Sequence, residues 1–128
     1  PTLAVEGWQH ASTYEGYTDE SVQVRWFWAT IRSYSQEDLR KTLVFVTGSE
    51  SVGPGGFAEL PGYNGARSRF TIKQPPVEPG QEETALPRAQ TCFNAILLPG
   101  YPSQAVLAAK LRVAIDSPGG FDEGAVAQ

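Results

Sequence analysis

One cysteine, one histidine and no methionine stand in this chain of 128 residues. A single thiol cannot close an internal disulfide, so a reducing compartment, cytoplasmic or nuclear, is expected. Basic charge is scarce too: ten Lys and Arg face fourteen Asp and Glu, a formal net charge of -4. Without a basic footprint for phosphate, nucleic acid and membrane surfaces are excluded as expected partners. No apolar run approaches the roughly eighteen residues of a membrane-crossing helix, and the first residues are neither basic nor steadily hydrophobic. Pro1 in place of an initiating methionine leads us to expect a piece of a longer chain.

What is present suits one domain with a modest core. Ten prolines and thirteen glycines imply much loop between its elements. Pro1 to Tyr17 has no clear period and carries Trp8, Tyr14 and Tyr17; it reads as a strap on the domain, with one helical turn near Val5 to His10. Asp19, Glu20 and Ser21 supply cap chemistry and negative charge for a helix start. Val24, Phe27, Trp28 and Ile31 then follow at i, i+3, i+4 and i+7, which gives that helix one apolar face. Trp26-Phe27-Trp28 reads as core packing rather than a ligand cage. Ser35, with Gln36, Glu37 and Asp38 behind it, nearly completes a capping box for a second helix. Its apolar side is Leu39, Leu43 and Val46, and Thr47-Gly48 ends it, Gly48 being free to turn left-handed. The short loop between the two helices predicts an antiparallel pair.

Ser51-Val-Gly-Pro-Gly-Gly56 is glycine-rich, but no Lys-Ser or Lys-Thr follows the last glycine, so it is a turn and not a phosphate cradle. Phe57 to Leu60 reads as a short helical piece, Arg67 to Lys73 as one strand around Phe70 and Ile72. Gln74 to Ala85, with three prolines and three glutamates, is a surface excursion. Ser103 then caps a final helix with the stripe Val106, Leu107, Leu111, Ala114 and Ile115, stopped by Pro118-Gly119-Gly120.

Between excursion and last helix lies Leu86-Pro-Arg-Ala-Gln-Thr-Cys-Phe-Asn94, continuing as Ala95-Ile-Leu-Leu-Pro-Gly-Tyr101. β-favouring residues bracketed by Pro87 and Pro99 predict a short extended piece that holds Cys92 near a loop mouth. By residue type alone a lone cysteine is a small buried hydrophobe. Its surroundings point elsewhere. The string Leu-Pro-x-x-x-Thr-Cys-Phe-Asn-x-x-x-Leu-Pro-x-Tyr closely resembles the active-site segment of HECT-type ubiquitin ligases. The resemblance continues, in family order, through Trp8, Thr13-Tyr14, Trp26-Phe27-Trp28, Phe45-Val46-Thr47-Gly48-Ser49, Gly55-Gly56-Phe57, Tyr101-Pro-Ser and Gly120-Phe121. It covers only the smaller, C-terminal lobe of that family's two-lobed catalytic domain.

The resemblance implies an α+β fold, a small C-lobe with helices packed on a short central β-sheet. It divides the chain into a hinge-proximal segment over 1–18, the lobe over 19–121 and a flexible tail over 122–128. It also implies acyl transfer: Cys92 accepts ubiquitin as a thioester from a ubiquitin-conjugating enzyme and passes it to a substrate lysine. The implied partners are ubiquitin, the conjugating enzyme, a protein substrate and the chain's own N-terminal lobe, with no cofactor and no metal. Only a thiolate attacks, and an ordinary free thiol is roughly 3% ionised at pH 7. Both groups exchanged in the first step are thiolates, so no strong base is needed there. In the second step an ammonium must lose a proton, and a carboxylate or imidazole should help.

Two departures from the family pattern stand out. Many relatives have His two residues before the cysteine; this chain has Gln90, which donates and accepts hydrogen bonds but takes up no proton. Phe121, expected to dock on the N-terminal lobe, is eighth from the end rather than fourth, followed by Asp122 and Glu123 as candidate lysine-assisting acids. Beside the thiol, Thr91, Phe93 and Asn94 are supporting candidates, Thr91 and Asn94 either as hydrogen-bonding groups or as strand and turn residues. Extended backbone from Gln90 to Phe93 would let ubiquitin's tail add as a strand. Two other functions stay open: a catalytically weak ubiquitin-binding or scaffolding module, and a cysteine hydrolase pairing His10 with Cys92, for which no local signature is present.

Overall fold

The computed structural model describes residues 2–117, so the helix stop at Pro118, the tail, Phe121, Asp122 and Glu123 lie outside the described residues. In chain order the elements are α1 (Val5–His10), β1 (Thr13–Glu15), α2 (Val22–Arg32), α3 (Gln36–Thr47), a 3-10 turn (Gly56–Glu59), β2 (Thr71–Lys73), β3 (Arg88–Gln90), a second 3-10 turn (Thr91–Phe93), β4 (Ala95–Leu97) and α4 (Gln104–Asp116). This is the expected α+β arrangement of helices around a short sheet.

Local chemistry sets the helix ends. Ser35 Oγ accepts from the Asp38 N–H at 3.1 Å and Ser103 Oγ from the Val106 N–H at 3.2 Å, each satisfying an orphan donor of a first turn. Gly48 closes α3 at φ 79°, a conformation that would strain any residue with a Cβ. Ser21 precedes α2 as expected, but its hydroxyl turns back to accept from the Thr18 N–H at 2.8 Å instead of capping the helix. The apolar faces agree with the spacing: α2 buries Val24, Phe27, Trp28 and Ile31, and α4 buries Leu107, Leu111, Ala114 and Ile115.

The helices do not pair as their loops suggest. The principal helix packing is α4 against α2 and against α3, so the expected α2–α3 antiparallel pair is replaced. An apolar stripe packs where most complementary surface is offered, and the leucine stripe of α4 serves both helices. Arg112 on α4 joins Asp38 on α3 at 3.0 Å and lies 4.7 Å above the Tyr34 ring.

The sheet runs β1-β2-β4-β3, with β1, β2 and β4 parallel and β3 antiparallel to β4. The strand read over Arg67 to Lys73 contracts to Thr71–Lys73, because Arg67 bridges to Pro61 in a separate loop. β1 lies inside the presumed strap, and three residues are too few for a period to betray it. Trp8 of α1 centres the core: it stacks on Phe57 at 5.0 Å and meets Phe70 at 5.4 Å and Trp28 at 6.2 Å edge to face. Such aromatic contacts are worth about 0.5–1.5 kcal/mol each beyond the area they bury. Two buried phenols tie loops to this body, Tyr17 Oη donating to the Leu98 carbonyl and Tyr101 Oη to the Ala85 carbonyl, both at 2.6 Å.

Candidate active site at the β3–β4 hairpin

Gln90 and Ala95 are register partners, so Thr91-Cys92-Phe93-Asn94 is a four-residue connection between antiparallel strands. The segment expected to be extended through Phe93 therefore stops at Gln90 and folds into a 3-10 turn, with Cys92 at the tip of a hairpin. The turn forms because Asn94 adopts φ 52°, ψ 44°, a left-handed conformation that asparagine tolerates better than most residues.

The tip is fixed from behind. Asn94 is 2% exposed, and its Nδ2 donates to the Ser68 carbonyl at 2.7 Å and the Pro61 carbonyl at 3.1 Å. Ser68 Oγ donates to the Phe93 carbonyl at 3.1 Å, and the Tyr63 N–H donates to the Cys92 carbonyl at 3.3 Å. Gly62 allows this approach: a Cβ there would sit 3.0 Å from the Ala66 carbonyl oxygen and 3.2 Å from Ser68 Cβ. The backbone of the turn is thus pinned while the Cys92 side chain is exposed.

Next to Cys92 in the chain, Phe93 forms an exposed aromatic pair with Tyr63. Phe93 and Tyr63 are 51% and 70% exposed and meet edge to face at 5.8 Å. Lys73 Nζ stands 3.1 Å from Gln90 Oε1, 3.8 Å from Glu15 Oε1 and 5.7 Å from the centre of the Phe93 ring. A groove of about 510 Å³ opens there, lined among others by Glu15, Lys73, Pro75, Arg88, Gln90 and Leu97.

Of the residues singled out in the sequence, Gln90, Thr91, Cys92 and Phe93 are gathered at the tip, whereas Asn94 turns inward to backbone carbonyls. His10 is exposed at the end of α1, which packs chiefly on α2 and the Gly56–Glu59 turn and not on the hairpin. Lys73 and Tyr63 were invisible in the sequence. Nothing near either residue carries a motif, and only strand register and the loop beneath the hairpin bring Lys73 to Gln90 and Phe93, and Tyr63 to Phe93 and the Cys92 carbonyl. The groups gathered about the tip are a carboxamide, a hydroxyl, two rings and an ammonium with the Glu15 carboxylate beside it.

A family model described as HECT-domain (ubiquitin-transferase) matches residues 1–123. The chain is 43% identical over 120 residues to E3 ubiquitin-protein ligase HECW2 of Homo sapiens, an alignment that covers 93% of this chain and 7% of that protein. It is 38% identical over 115 residues to E3 ubiquitin-protein ligase TOM1-like of Neurospora crassa, covering 90% and 3%. With E3 ubiquitin-protein ligase RSP5 of Chaetomium thermophilum it shares 36% identity over 121 residues, covering 94% and 14%. It therefore spans a small fraction of the length of these relatives.

Proposed function

The chain belongs to the HECT-domain (ubiquitin-transferase) family, and from that membership we propose that it is the catalytic lobe on which ubiquitin is carried. Cys92 takes ubiquitin as a thioester from a ubiquitin-conjugating enzyme and passes it to a lysine of a protein substrate. One observation carries this reading: the only cysteine of the chain is exposed at a hairpin tip whose backbone is pinned from behind. A buried cysteine would have argued for packing alone.

In the first step the Cys92 thiolate attacks the carbonyl carbon of the incoming thioester. One C–S bond forms, another breaks, and the conjugating enzyme's thiolate leaves. In the second step a lysine amine attacks, a C–N bond forms, the Cys92 thiolate leaves, and the amine proton passes to a base. Among the described residues no carboxylate or imidazole hydrogen-bonds the thiol. The base is therefore sought in Asp122 and Glu123 or in the N-terminal lobe of the full-length protein, on which Phe121 would dock. Because Thr91 to Phe93 is a turn, ubiquitin's tail would not pair along it. β3, the outer strand among the described residues, ends two residues before the sulfur, so a ubiquitin tail led in along that direction would reach the thiol with its C-terminus. A reducing compartment, cytoplasmic or nuclear, suits a working thiol.

The test is to incubate the full-length protein with activating enzyme, conjugating enzyme, ATP and ubiquitin and to run a non-reducing gel. A thiol-sensitive adduct that disappears in Cys92→Ala supports the reading. Binding of ubiquitin without any adduct would favour the scaffolding module instead. For this chain alone, ubiquitin carrying a C-terminal electrophile should label Cys92.

A further inference from the structure

The chain has three lysines, and one of them stands at the hairpin. Lys41 on α3 is bonded to Asp116 at 3.2 Å, and Lys110 lies on α4, whose principal packing is on α2 and α3. Lys73 ends β2, on the same face of the sheet as Gln90 at the end of β3. Its stem leans back across β4, so that Nζ donates to Gln90 Oε1 at 3.1 Å and lies 5.7 Å from the centre of the Phe93 ring and 3.8 Å from Glu15 Oε1. Gln90 and Phe93 come two residues before and one after Cys92 in the chain. An amide oxygen, a carboxylate and a ring face are groups that recognise an ammonium. An ammonium site is thus built at the hairpin, and the chain's own lysine occupies it. The Lys73 side chain is 26% exposed and lines the groove together with Glu15 and Gln90, so the amine is reached from solvent while its stem rests on the sheet.

The second step of the transfer needs a lysine amine beside the acyl group on Cys92. Resting on the transfer reading above, we propose that Lys73 is itself an acceptor, a ubiquitin-modification site acylated from Cys92 of the same molecule. A lysine amine rides on a flexible four-carbon stem, so it can leave the Gln90 oxygen and swing to the acyl carbon while both backbones stay in place. The tip is pinned through Asn94, and β2 is paired on both sides, with β1 and with β4. A nucleophile tethered in this way is not gathered from solution, and that gain in effective concentration favours it over amines that must diffuse in. The Lys73 ammonium first gives one proton to solvent. Its amine then attacks the thioester carbonyl carbon: a C–N bond forms, the C–S bond breaks with its electron pair on the Cys92 sulfur, and the second proton leaves the nitrogen for solvent. The products are an isopeptide bond at Lys73 and a free Cys92 thiolate. The new amide carries no charge, so Gln90 and Glu15 lose the cation they share.

The test loads the full-length protein with lysine-free ubiquitin, quenches activation and adds no acceptor. The thioester is followed on non-reducing gels, and tryptic peptides are weighed for the Gly-Gly remnant that ubiquitin leaves on a lysine. The remnant at Lys73 should form with a first-order rate constant that dilution by about tenfold leaves unchanged, and should exceed the remnants at Lys41 and Lys110 by at least about tenfold, as expected of a tethered amine. It should be absent in Cys92→Ala. Lys73→Arg keeps the charge and offers no attacking amine; it should load within about twofold of wild type, and its thioester should decay at least about threefold more slowly. An unmodified Lys73 in loaded protein, a rate constant that falls in proportion to dilution, a remnant that persists in Cys92→Ala, or equal thioester decay in Lys73→Arg would each overturn the assignment. A wild-type protein that never loads ubiquitin overturns the transfer reading and this one with it, whereas a protein that loads and leaves Lys73 untouched overturns this one alone.

Discussion

The Asn94 amide and the Ser68 carbonyl are joined by a 2.7 Å hydrogen bond that ties the hairpin tip, with Cys92 on it, to the loop beneath. A second bond from the same nitrogen reaches the Pro61 carbonyl. Asn94→Ala loses both of these part-buried hydrogen bonds, at about 0.5–1.5 kcal/mol each. Alanine also lacks the side-chain amide that eases asparagine into the left-handed backbone, a further cost of up to about 1–2 kcal/mol. We expect a loss of about 2–4 kcal/mol by urea unfolding, and a smaller loss in Asn94→Gly, which removes only the hydrogen bonds. Equal stability in all three proteins would mean that the clamp does not hold the tip.

Cys92→Ser should leave the fold alone and change the chemistry. The side chain is exposed, so stability should move by no more than about 0.5 kcal/mol. Any ubiquitin the serine accepts is an oxyester, which resists thiol reductants but yields to alkali. A thiol-labile adduct persisting in the serine protein would put the acceptor at a different residue.

Phe93 makes the opposite kind of contribution for its size. At 51% exposure, against Tyr63 alone among aromatic partners, its truncation to alanine should cost less than about 1 kcal/mol of stability. An apolar ring beside the nucleophile gives an arriving ubiquitin thioester something to cover, and such exposed aromatics often dominate an interface. Loading of Phe93→Ala from the conjugating enzyme should slow by roughly tenfold, equivalent to about 1.4 kcal/mol. A rate equal to wild type would remove Phe93 from the docking surface.

Tyr17 makes the fold sensitive to alkali. Burial pushes its hydroxyl from an ordinary 10.0 up to about 12, while it donates to the Leu98 carbonyl. Tyr101 is raised by burial in the same direction. The folded state keeps the Tyr17 proton where the unfolded chain releases it. Its contribution is therefore complete below pH 10 and lost as pH rises from there through about 12. Urea midpoints measured from neutral pH upward should fall in that window, and the fall should be shallower in Tyr17→Phe, which has no proton to lose. An equal slope in the two proteins would assign the alkaline loss to other groups.

The helices were legible because their signals are local. Ser35, Gly48 and Ser103 act on amides or carbonyls within a turn of themselves, and the apolar stripes of α2 and α4 repeat within their own segments. Partner choice was not legible. The stripes of α2 and α3 say that each must be covered, and only the position of α4 decides by what. At the site, Cys92 and its neighbours could be named from their order in the chain, but their shape could not. The residues that read as extended are bent by a left-handed Asn94, whose partners Pro61 and Ser68 come from a loop far upstream.

By itself, then, the sequence determined where helices begin and end, which side chains are apolar enough to need cover, and that one thiol in a family-like string is the atom to watch. Tertiary structure alone decided that Thr13–Glu15 is a strand, that Cys92 sits on a hairpin tip, and that Lys73 reaches Gln90. A helix is held by bonds between residues four apart, so its residues carry its whole signal. Strands of three residues carry almost none, because the bonds that make them run to partners such as Thr13 and Thr71, which meet only once the chain has folded.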